Sequence, residues 1–152
     1  MDTPGFVVGT DAERRGAPGH IMNFMNATCM TTVPQVTVIC RKAYGRAYVA
    51  MGGGAHNDAM IAWPMAEVSF MDPVFATSIV HNKTKDDEGF EEALAHIQKN
   101  LEIWDMARIF SAHDVIKPQE TRSYLVRMLD IQRRRRSNGI GQHLMRTWPT
   151  SY

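Results

Sequence analysis

The sequence predicts an α/β fold with parallel strands. Short β-branched runs, VTVIC at residues 36–40 and EVSFM at 67–71, alternate with longer stretches of helical period. Turn and cap residues fall between them, as at Tyr44-Gly45 and Asp72-Pro73. No repeat or low-complexity block interrupts this alternation, which is the pattern of a helix-covered parallel sheet. The 152 residues suit one domain, and a hydrophobic content of 44% is enough for a core.

Composition narrows the function classes. A net charge of +1 points to neither nucleic acid nor an acidic partner. Cys29 and Cys40 lack CxxC spacing and are expected reduced and buried, as in a cytosol-like compartment. No apolar run reaches the ~18 residues of a membrane span. The opening MDTPGFVVG is not a signal peptide.

Taken in order, Asp2-Thr3-Pro4-Gly5 reads as a turn that normally follows a strand, and none precedes it here. Residues 11–19 read as a polar, Gly/Pro-rich loop, with or without one helical turn, and 20–31 as a helix, with Ile21, Phe24, Met25 and Thr28 at helical spacing. Pro34 ends it. Residues 36–40 read as a strand buried on both faces. Arg41 and Lys42 stop the apolar run, Tyr44-Gly45 gives a permissive turn, residues 46–51 open a helix and Gly52 to Gly54 end it. Residues 55–60 read as a polar loop, and Ala62-Trp63-Pro64 as a corner. The strand at 67–71 follows. Asp72 caps and Pro73 begins a helix to about Val80. Residues 83–89 read as a charged loop. Residues 90–110 are amphipathic, as one helix or as two broken near Asn100, with Ala93, Leu94, Ile97, Leu101, Trp104 and Ala107 on one face. Val115-Ile116 is a very short strand, residues 119–136 a last long helix, and 137–152 an aperiodic tail.

The stretch of residues 36–54 carries the chemistry. A strand feeding a helix through a tight turn leaves backbone N–H groups open at the helix start. Such groups can hold a developing negative charge without any special side chain. Most strand–turn–helix units only pack, so spacing alone does not decide between the two readings.

The blocks DTPGFVVGTDAERRG, TVPQVTVICRKAYGRAY and AWPMAEVSFMDP, with SAHDVIKPQETRSYLVRMLDIQRRRR at the end, add a resemblance. Together, over residues 2–136, they are similar to the carboxyltransferase (beta) subunit of biotin-dependent acyl-CoA carboxylases of the propionyl-CoA carboxylase type. The resemblance implies a crotonase-like fold, a spiral of ββα units, here incomplete at the N-terminus. It implies that residues 1–136 are the later part of the biotin-facing domain and 137–152 a tail, with the acyl-CoA-binding domain on another chain. It implies transfer of a carboxyl group from carboxybiotin to the α-carbon of an acyl-CoA, inactive without that partner. The implied partners are biotin carboxyl carrier and biotin carboxylase subunits in a homo- or hetero-oligomer, in cytoplasm or mitochondrial matrix. Biotin is the implied cofactor, carried on a separate domain.

The site residues follow from the same resemblance. The backbone N–H groups of Arg46 and Ala47 face the biotin oxygen, Tyr44 and Gly45 precede them, and Val49 shapes the acyl pocket. The family commonly has Gly at the position of Arg46. Propionyl-CoA enzymes often have Asp where this chain has Val49, so an apolar residue there suits another or longer acyl group. Two alternatives stand beside this reading: an acyl-CoA decarboxylase subunit, and a non-catalytic fragment that packs into an oligomer.

Other features have plainer readings. His56, Asn57 and Asp58 resemble a metal fragment, but zinc needs three or four protein ligands and no second cluster exists, so no metal is expected. His20, His81, His96, His113 and His143 lack a positioned partner in sequence. The eleven Met read as core or interface filling. Arg133 to Arg136 reads as a solvated end or ion-pairing interface, with no nucleic acid and no membrane.

Overall fold

The computed structural model describes residues 1–31, 33–54 and 57–132. His56, His143, the Arg133 to Arg136 run and the tail lie outside these residues. The helices are α1 (Thr10–Arg14), α2 (Ala17–Cys29), α3 (Gly45–Ala50), α4 (Pro73–Val80), α5 (Phe90–Gln98), α6 (Ile103–Arg108) and α7 (Thr121–Gln132). The strands are β1 (Val36–Ile39), β2 (Lys42–Tyr44), β3 (Ala59–Ala62), β4 (Glu67–Ser69) and β5 (Asp114–Val115).

The strands form two parallel sheets, β1-β3-β5 and β2-β4. Val36 pairs with Ala59, and Lys42 with Glu67. Successive units β1–β2–α3 and β3–β4–α4 each give one strand to each sheet. The architecture is therefore built from ββα units. The core lies around Ile39, Ala43, Met60, Ala62 and Ile103, all fully buried. Small residues such as Ala43, Ala62, Ala66 and Ala112 let these layers approach closely.

The structure corrects several expectations. Residues 59–62, assigned to a loop and a corner, form the central strand β3, buried at every position. Alanine and methionine are poor strand markers, and burial between two partners overrides that weakness. Lys42 to Tyr44 is a further strand, too short to announce itself. β1 alternates between buried and half-buried positions, so only Thr37 and Ile39 face the core fully. Residues 11–19 hold α1, the one helical turn allowed for there, and the start of α2, which begins three residues before the expected helix. Gly16 in the left-handed region (φ 72) separates the two helices. The 90–110 stretch does break near Asn100, into α5 and α6. Cys29 is exposed and Cys40 half-buried, so neither is the buried thiol expected.

Residues 1–3 are not an isolated turn. Thr3 bridges Ala43 in parallel, and the Thr3 N–H donates to the Lys42 carbonyl at 2.7 Å. The Arg41 guanidinium meets Asp2 at 2.9 Å and holds that carboxyl below its ordinary pKa; both are exposed, so the pair adds little stability. At the other end, the Thr121 hydroxyl accepts the Trp63 indole N–H at 2.9 Å, which anchors the base of α7. No helix among the described residues is long and apolar enough to cross a membrane.

Candidate functional site

The site is built where β2 turns into α3. Tyr44 closes the strand in extended conformation (φ −108, ψ 137) and stands at the helix N-cap. Gly45 then takes φ +62, and a Cβ there would stand 3.2 Å from the Phe70 carbonyl oxygen. Only glycine meets both demands cheaply. α3 starts at once, so its first amides lack intrahelical acceptors. Tyr44 makes no side-chain cap. Among the described residues, no hydrogen bond takes up the N–H of Arg46 or Ala47.

These two amides sit at the carboxyl ends of the parallel pair β2 and β4, where open parallel sheets present ligand sites. Ala47 is only 2% exposed, so water reaches that residue poorly. The Arg46 side chain is exposed. Val49 lies three residues on, on the same helix face, half-buried and packed against the core cluster. The turn thus brings Tyr44, Gly45, Arg46, Ala47 and Val49 into one continuous segment. Such an arrangement can stabilise an oxyanion by backbone donors alone.

One neighbour of the turn escaped the sequence reading. The Tyr44 hydroxyl donates a short hydrogen bond to the Glu67 carboxylate. Burial, then this bond and the charge of Glu67, push the Tyr44 phenol well above its ordinary pKa. The Lys42 ammonium lies over the Tyr44 ring, 5.7 Å from its centroid. Lys42, Tyr44 and Glu67 share the wall of a cavity of about 780 Å³ with Asp72 and Trp104. The alternation of Lys42 with Tyr44 and of Glu67 with Ser69 was the available signal. It acquires meaning only once β2 is known to pair with β4.

The described histidines do not converge on this turn. His113 serves the sheet: its Nδ1 accepts the Met60 N–H at 2.9 Å, extending the ladder at the start of β5. His81 and His96 meet edge to face at 6.4 Å, and His20 is exposed on α2. Asn57 donates its side-chain amide to the Gly52 carbonyl, and Asp58 accepts the Gln35 N–H at 2.9 Å. Both therefore order loops. Among the described residues, no group of three His, Cys, Asp or Glu side chains is placed to hold a metal ion.

The carboxyl transferase domain matches residues 1–143. The chain belongs to the carboxyl transferase domain family. It is 39% identical over 134 residues to the propionyl-CoA carboxylase beta chain of Roseobacter denitrificans, covering 84% of this chain and 26% of that one. It is 33% identical over 139 residues to the methylmalonyl-CoA decarboxylase subunit alpha of Veillonella parvula, covering 91% and 27%. Among solved structures, transcarboxylase 12S with methylmalonyl-coenzyme A bound superposes with a TM-score of 0.84 at 31% identity, covering 91% and 27%. The fold is thus crotonase-like, in agreement with the two ββα units. The chain spans about a quarter of the length of these relatives.

Proposed function

We propose that this chain supplies the biotin-facing half of a carboxyltransferase site acting on an acyl-CoA. The single observation that carries the reading is the pair of amides of Arg46 and Ala47 without an acceptor among the described residues, at the carboxyl end of β2. Two successive backbone donors at a poorly hydrated helix start suit one electron-rich oxygen, and the ureido oxygen of biotin is such an acceptor. Bound on its carrier, carboxybiotin would supply the carboxyl group that replaces the α-proton of the acyl-CoA.

This chain's own residues then hold and orient. Gly45 sets the direction of the turn. Arg46 and Ala47 donate through the backbone, so the Arg46 side chain is not needed for the contact. Val49, where related propionyl-CoA enzymes often carry Asp, lies against the acyl group and favours a chain other than propionyl. An acyl-CoA-binding domain supplies the other half of the site, with biotin carboxyl carrier and biotin carboxylase subunits completing an oligomer. Similarity to a methylmalonyl-CoA decarboxylase subunit supports a second reading, in which the same half-site serves decarboxylation of an acyl-CoA.

The test removes one donor. Arg46→Pro deletes a single N–H at the second helical position, where the fixed φ of proline suits a helix start. In the complete complex, supplied with ATP, bicarbonate and acyl-CoAs, it should lower kcat ~10²–10³-fold beyond Arg46→Ala, which keeps the N–H. Equal rates for the two variants would overturn the reading.

A further inference from the structure

Tyr44 holds more than its packing requires. Its ring is 1% exposed and fills the space beneath the turn, a role phenylalanine would perform as well. The hydroxyl instead reaches across the ladder to Glu67. In the parallel register Tyr44 stands opposite Ser69, and Glu67 opposite Lys42. The bond therefore runs diagonally, back along β4, and pulls the end of β2 towards its neighbour. Both residues line the cavity of about 780 Å³.

Glu67 is a firm anchor. Its N–H donates to the Arg41 carbonyl at 2.8 Å, and its backbone bridges Glu102 on the other side. The next residue, Val68, donates to the Leu101 carbonyl at 3.0 Å. Tyr44 is held on its N-terminal side, where its N–H donates to the Thr3 carbonyl at 3.1 Å, but it is the last residue before the left-handed Gly45, so rotation beyond that bond swings the Arg46 and Ala47 peptides with it.

We propose that Tyr44 and Glu67 form a positioning pair that fixes the direction of the two donor amides. This rests on the oxyanion reading given above. Neither side chain touches the reacting atoms. The hydroxyl and carboxylate act through the backbone, with the Lys42 ammonium over the ring opposing ring rotation.

The experiment compares Tyr44→Phe, Glu67→Ala and Glu67→Gln in two measurements. The first is hydrogen exchange on the full chain, read by mass spectrometry over residues 44–50 and over β1 and β3. Exchange at 44–50 should quicken in Tyr44→Phe and Glu67→Ala and return towards the parent rate in Glu67→Gln, which keeps an acceptor. Exchange in β1 and β3 should not change. The second is steady-state carboxyl transfer in the complex. There kcat should fall roughly ten- to a hundredfold in the first two variants, since small misplacements of positioned groups cost rates of that order, with KM for acyl-CoA unaltered.

Unchanged exchange at 44–50 would overturn the positioning pair. So would faster exchange throughout the core, which would mark a general structural role. Faster exchange confined to 44–50 with an unaltered kcat would uphold the pair and remove the oxyanion reading instead.

Discussion

Tyr44 shows how one side chain couples the local backbone to pH. Its phenol is pushed above the ordinary value by burial first and by Glu67 second. The folded chain thus holds this proton more tightly than the unfolded chain does. Stability from this term is complete below the ordinary phenol pKa of about 10 and is lost as pH rises beyond it towards the folded value. Burial raises Tyr48 and Tyr124 in the same sense, so the parent protein should lose stability steeply in alkali. Tyr44→Phe should flatten that decline by up to one proton's worth of slope. Denaturant titrations from neutral pH to beyond pH ~10 measure the difference. Identical slopes would mean that Tyr44 ionises in the fold as it does in water.

At the scale of elements, α3 is closed by contacts as specific as those that open it. Tyr48 is buried, its hydroxyl accepts the Gly54 N–H at 3.1 Å, and it donates to the Met60 sulfur at 3.3 Å. Gly53 lies so close that a Cβ there would stand 2.4 Å from Tyr48 Cε2. Gly53→Ala must therefore displace a buried ring or the backbone, at about 1–3 kcal/mol. Equilibrium unfolding should show that loss, and a change within about 0.5 kcal/mol would place Gly53 with ordinary surface sites. The glycine run was legible in the sequence as a helix end, as were β1, the Tyr44-Gly45 turn and the Asp72 cap. Asp72 does accept the Val74 N–H, at 3.0 Å. What local pattern could not give was pairing. β3 reads as a loop until β1 and β5 flank it, and Glu67 has no visible tie to Tyr44 until parallel register brings residues 23 positions apart into contact. The turn could be read because its residues are sequential. Its tie to Glu67 could not, because that contact is tertiary.

At the scale of the whole molecule, the described residues leave coherent apolar faces uncovered. Single exposed apolar side chains are normal, but aligned ones mark contact surfaces. Phe75 and Ile79, one helical turn apart on α4, are both more than half exposed, and Phe70 just before them is 82% exposed. α7 buries none of its residues and presents Val126 and Leu129. Burial of such faces against another polypeptide is favourable in proportion to the area removed from water. We therefore expect the purified chain to associate. Association stabilises only the folded form, so by mass action Tm should rise with protein concentration, and sedimentation should show larger species as concentration increases. Substituting Phe75 and Ile79 together by serine should weaken both trends while leaving the buried α4 residues Ala76 and Thr77 in place. A concentration-independent Tm with a single monomeric species would show that water tolerates these faces. Any need of the proposed reaction for partner chains would then come from the active site alone.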